Sequence, residues 1–129
     1  MNTLEHFEIA GKRGFYRPQG KVSYDLAVEM VAAAMKHART LGLESLLVNT
    51  NGLTGISPPS IFGRHALAVK WAEAAGASLH VALVARPELV DPEKIGVVMA
   101  QNRGVSGDVF TTEPAALAWL DSRHRNTGR

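Results

Sequence analysis

A chain of 129 residues with 46% hydrophobic and 20% charged residues has the make-up of one globular domain, which excludes disordered, collagen-like and low-complexity chains. It contains no cysteine, so disulfides, zinc ribbons, iron–sulfur clusters and thiol nucleophiles are excluded together, and the cytoplasm is the expected location. Lys and Arg number 14 against 12 Asp and Glu, a net charge of +2, but Arg123, Arg125 and Arg129 all stand in the closing string SRHRNTGR. Residues 1–122 therefore hold 11 basic and 12 acidic side chains, a net of −1, and the basic balance belongs to the end of the chain. Nucleic acid is not an expected partner on that distribution. No stretch approaches the roughly 18 apolar residues that span a bilayer, and the opening MNTLEHFEIAGKRG lacks the basic-then-apolar order of a signal peptide.

In chain order, Phe7 with Ile9 and Phe15 with Tyr16 mark two short β runs over residues 4–9 and 12–17. The turn-prone AGKRG between them predicts a hairpin. Ser23 is a good N-cap for a helix running to about Leu41, with Gly42 at C′. On that helix Ala27, Met30, Val31, Ala34, Ala38 and Leu41 share one side, and Asp25, Glu29 and Lys36 lie opposite. SLLVN at 45–49 and LHVALVA at 79–85 are nearly continuous apolar runs, the pattern of parallel strands buried on both faces. A helix from about Pro58 to Ala75 separates them. Asp91, followed by Pro92 at N1, caps a third helix that ends near Asn102, with Gly104 as the stop. GDVF is a short strand, and Thr111 or Thr112 caps a last helix whose Ala116, Leu117 and Leu120 face inward. The order ββαβαβαβα predicts an α/β fold: a mostly parallel sheet with an N-terminal hairpin, right-handed crossovers and helices packed on it. Residues 1–122 form the single expected domain, and 123–129 a basic, disordered tail. Ligands in such folds favour the carboxyl ends of the strands.

No G-x-G-x-x-G, Walker A, G-x-S-x-G or H-E-x-x-H string occurs. The histidines at 6, 37, 65, 80 and 124 are too far apart for a local metal pair, so neither a metal nor a cofactor is expected. His80, inside an apolar strand, reads as a neutral hydrogen-bonded imidazole, and His65 as solvated. The informative stretch is LLVNTNGLTGISPPSIFGRHALAVKWAEAAG. Its turn-rich NTNGLTG leaves the end of a buried strand, and Ser57 before Pro58 supplies an N-cap and a proline at N1. With Arg64 at 0° on a helical wheel, Ser57 lies at about 20° and Ser60 at about 320°, so two hydroxyls and a guanidinium form one stripe beside free backbone N–H groups. That set suits a carboxylate, phosphate or sulfate, and the serines could equally receive a phosphoryl group. The competing structural reading has Ser57 only capping the helix and Arg64, which shares its stripe with Leu67, Ala68 and Trp71, pairing with an internal carboxylate. Phe62, Ala66 and Val69 occupy the opposite side, which makes Phe62 and Val69 a candidate homodimer or partner surface. Glu88, Asp91 and Glu93 read as dipole-favoured acids at a helix start, and Arg103 as a favourable charge at a helix end. Lys12, Arg13, Arg17 and Lys21 read as a solvated basic face.

GKVSYDLAVEMVAAAMKHARTLGLESLLVNTNGLTG, then SPPSIFGRHALAVKWAEAAG, VALVARPELVDPEKIGVVMAQNRG and VFTTEPAALAWL, resemble bacterial SpoIIAA-like proteins of the STAS and CRAL-TRIO-like group over residues 14–121. The resemblance implies a small sheet with helices around it and a non-catalytic regulator that binds partner proteins or senses anions. It also implies, by position, Ser57 or Ser60 as a phosphorylated serine at the head of the helix after a central strand. Its CRAL-TRIO side implies the alternative, a protein binding a small apolar ligand or a lipid headgroup. The expectation is a non-enzymatic, cytoplasmic regulatory or binding module with its site at Ser57, Ser60 and Arg64, for a protein partner or a small anionic ligand. An enzyme using Arg64 for a carboxylate substrate and His65 as acid or base is the third reading, and it has no activated pair in sequence.

Overall fold

The computed structural model describes residues 5–56, 61–76, 78–87 and 95–127, the side chains of 61–64, 95–97 and 124–127 excepted. In chain order the elements are β1 (Phe7–Ala10), β2 (Arg13–Tyr16), β3 (Gly20–Lys21), α1 (Tyr24–Thr40), β4 (Ser45–Asn49), β5 (Leu53–Thr54), α2 (Ile61–Ala75), β6 (His80–Val84), α3 (Ile95–Asn102), β7 (Ser106–Phe110) and α4 (Glu113–Thr127). Five strands form one sheet in the order β1-β2-β4-β6-β7. β1 and β2 are the antiparallel hairpin, and every other neighbour in the sheet is parallel. The protein is thus α/β, with a mostly parallel mixed sheet and helices packed on it. β3 and β5, which read as loops in sequence, pair with each other as a separate two-stranded parallel ladder. A two-residue strand has no periodicity to read, so only the meeting of the two loops creates it.

The central strands bury both faces because successive side chains alternate across the sheet. Leu46, Val48 and Val81 join one apolar cluster with residues of α1, α2 and α3. Leu47, Ala82 and Val84 join a second with Ala116 and Leu120 of α4. Ser23 caps α1 as its sequence predicts, its Oγ accepting from the Leu26 N–H at 3.1 Å. The inward face of α1 is wider than the single stripe expected. Val28, Ala32 and Met35 are buried as well, while Leu41 is 45% exposed. The cause is a second packing partner: α1 lies on the sheet and also against α2, whose Trp71 Nε1–H donates to the Val28 carbonyl at 3.2 Å. Leu41, at the C-cap, is beyond the reach of both.

The last helix, α4, runs from Glu113 to Thr127. Two guanidinium groups of the β2 strand and its following residue hold α4 down. Arg13 Nη2 donates to Asp121 Oδ1 at 3.0 Å, and Arg17 Nε and Nη2 donate to Glu113 Oε2 and Oε1 at 2.8 and 3.1 Å. The match is one of pitch. Four residues of extended chain cover about 13 Å, and eight residues of helix about 12 Å, so Arg13 and Arg17 meet Asp121 and Glu113 together. The expectation that Arg13 and Arg17 are a solvated face is therefore corrected for these two residues.

Candidate functional site at the carboxyl edge of the sheet

All four parallel strands end on one edge, and the chain segments that follow them build the candidate site. After Asn49 the chain turns: Asn49 Oδ1 accepts from the Asn51 N–H at 2.9 Å, and the Thr50 N–H and hydroxyl both donate to the Val84 carbonyl, at 2.9 and 2.8 Å. The loop then zips onto the segment after β2. Gly20 N–H donates to the Gly52 carbonyl at 3.1 Å and Val22 N–H to the Thr54 carbonyl at 2.8 Å. Gly52 is required by this approach, because a Cβ there would stand 2.8 Å from the Pro18 carbonyl oxygen. Arg86, just past β6, donates from Nη2 to the Asn51 carbonyl at 3.1 Å. The result is a platform, fastened at both ends, that leads into α2.

Its electrostatics are asymmetric. Glu113 accepts from Arg17 and, at 2.7 Å, from Asn49 Nδ2. The Arg17 hydrogen bond, then that of Asn49, hold the Glu113 carboxyl below its ordinary range, although burial works against them. The same contact raises Arg17. Glu113 is thus a carboxylate committed to a clasp and a poor proton donor at neutral pH. Lys21, exposed on β3, and Arg86 have no ion-pair partner among the described residues. Among the described residues the platform thus presents two cations without an ion-paired acid.

The clasp makes a pH prediction. A carboxyl whose folded pKa is lowered stabilises the fold above its unfolded pKa and loses that contribution as pH falls through the folded value. Glu113→Gln is expected to cost about 1 kcal/mol at pH 7, a modest figure because the Arg17 side chain is 41% exposed and solvent screens the pair. Urea unfolding at neutral pH and again near about pH 3 checks it: the gap between variant and wild type should close in acid.

Ser57 and Ser60 lie outside the described residues, as do Glu88, Asp91 and Glu93. Arg64 is placed by its backbone in the first turn of α2, on the side of the molecule where the platform ends, and its side chain lies outside the described residues, as does that of Phe62. Val69 is half-buried and His65 exposed. His80 is hydrogen-bonded, its Nδ1 2.6 Å from Ser106 Oγ. The sequence alone does not single out Arg17, Asn49 and Glu113 as neighbours. The one signal for them is the spacing of Arg13 and Arg17 on one strand face against Glu113 and Asp121 on one helix.

Among the described residues no group of three or more His, Cys, Asp or Glu could hold a metal ion, and no helix is long and apolar enough to cross a membrane. An apolar cavity of about 40 Å³ lies on the other side of the sheet, under α2 and α3, lined by Met35, Leu67, Trp71, Leu83, Ala100 and Val105 among others. Ligand pockets typically measure about 300–1,000 Å³.

No family model and no curated protein matches the chain. Among solved structures, the NMR structure of the protein TM1081 is similar to it, with 13% sequence identity and a TM-score of 0.47 over 92% of this chain and 89% of that one.

Proposed function

We propose that the chain is a non-enzymatic regulatory or binding module of the STAS kind, working in the cytoplasm, and that it recognises an anionic group of a protein partner or small ligand. The recognition surface is the carboxyl edge, where the β3–β5 platform leads into α2. The observation that carries this reading is the platform itself. Two loops are cross-braced by main-chain hydrogen bonds, one carrying Lys21 and the other held by Arg86, while the nearby acid Glu113 is already ion-paired with Arg17 and hydrogen-bonded by Asn49. A preorganised cationic surface binds anions without first displacing an internal carboxylate. Ser57, Ser60 and Arg64 belong to the same proposal as the groups the platform delivers, with either serine as the phosphoryl acceptor. A homodimer through Phe62 and Val69 on α2 is compatible with it. The alternative reading is a protein that binds a small apolar ligand or a lipid headgroup, for which the apolar cavity under α2, about 40 Å³, is small.

A ligand that binds only the folded state raises its stability by RT ln(1 + [L]/Kd). Sulfate and phosphate are therefore expected to raise the unfolding temperature above a chloride control at matched ionic strength. Arg64→Ala and Lys21→Ala should each shrink that rise. A response equal to chloride, or one that neither substitution alters, would sink the proposal.

A further inference from the structure

The register of the sheet places Arg13, Ser45, His80 and Ser106 opposite one another, one from each of four adjacent strands, in a polar row at the amino edge. This edge is opposite the proposed anion surface. The row faces α4, since it shares the alternation of Leu47 and Ala82. Half of the row holds the fold together: Arg13 Nε donates to Ser45 Oγ at 3.0 Å, and Nη2 fastens Asp121 of α4. The other half is a side-chain pair between β6 and β7. His80 Nδ1 and Ser106 Oγ share a 2.6 Å hydrogen bond between two strands already joined by five backbone register pairs. Both residues are only half-buried, and Ser106 opens β7, the outermost strand. On that flank Gln101 Nε2 donates to the Gly107 carbonyl at 2.8 Å and the Val109 N–H donates to Asp108 Oδ1 at 2.8 Å, so two main-chain groups that a further strand would use are already occupied.

We propose that Ser106 is a covalent acceptor, activated by His80, for a small acyl group from an activated ester or thioester. A serine hydroxyl is a weak nucleophile until a base within hydrogen-bond reach takes its proton. With the imidazole proton on Nε2, the Ser106 O–H donates to Nδ1. Oγ attacks the donor's carbonyl carbon and a new C–O bond forms. The bond from the acyl carbon to the leaving oxygen or sulfur breaks. The proton passes from Oγ to Nδ1 and then to the departing alcoholate or thiolate, and nothing is oxidised or reduced. The products are O-acyl-Ser106 and the free alcohol or thiol. The chain is a stoichiometric acceptor in this step, which is independent of the anion site.

The test is incubation of the full chain with p-nitrophenyl acetate, followed by release of p-nitrophenolate, intact mass and peptide mapping. One acetyl group per chain is expected, mapped to Ser106. Ser106→Ala should lose it, and His80→Asn should slow it by about 100-fold or more, the usual lower worth of a positioned base. Unmodified Ser106 in the wild-type chain, acetylation confined to lysines, or an equal rate in a folded His80→Asn variant would each overturn the proposal. The wild-type map decides even if a variant fails to fold.

Discussion

Leu47→Ala is expected to lower the free energy of unfolding by about 3 kcal/mol, the middle of the range for a buried leucine truncated in place. Leu47 is fully buried on β4, in the small cluster that seats α4, with Ala82, Val84, Ala116 and Leu120 around it. Two of those four neighbours are alanines, whose side chains are too short to move into the space, so the cavity should persist and its full cost be felt. For a chain of this length about 3 kcal/mol corresponds to a melting temperature lower by roughly 10 °C. Ile9→Ala is the control: that side chain is 53% exposed, and its loss should fall within about 0.5 kcal/mol of wild type. Urea unfolding with an unchanged slope measures both. A loss under about 1 kcal/mol for Leu47→Ala would mean that α4 is not seated on this face.

Gly52→Ala is expected to cost about 2 kcal/mol through overpacking. The new methyl would stand 2.8 Å from the Pro18 carbonyl oxygen, a main-chain atom that cannot swing aside as a flexible side chain can. Relief requires the loop after β2 to separate from the loop after β4, which breaks the Gly20 N–H to Gly52 carbonyl bond and then the Val22 N–H to Thr54 carbonyl bond. Amide exchange should therefore accelerate at Gly20 and Val22 before it does in the central strands. Because the same loops form the cationic platform, the stabilisation by sulfate should weaken in this variant. Wild-type exchange at both amides would show that the ladder tolerates the methyl, and that the platform is looser than its hydrogen bonds imply.

The alternation of apolar strands and capped helices in the sequence was enough to place the main elements. SLLVN is β4 residue for residue, Ser23 caps α1, and Thr112 caps α4, its Oγ1 accepting from the Ala115 N–H at 3.3 Å. These features are local: burial on two faces, or an unpaired N–H at a helix start, leaves its mark within a few residues of the chain. What the tertiary structure alone decided is pairing between distant segments. Arg17 reads as a surface cation until α4, 96 residues later, brings Glu113 to it, and Asn49 joins the clasp only because β4 ends beside both. The wider buried face of α1 follows from α2 lying against it, and the β3–β5 ladder from two loops that meet. A charged side chain carries no sequence mark of whether water or a carboxylate will satisfy it; that is settled by the register of the sheet and the pitch of the helix laid across it.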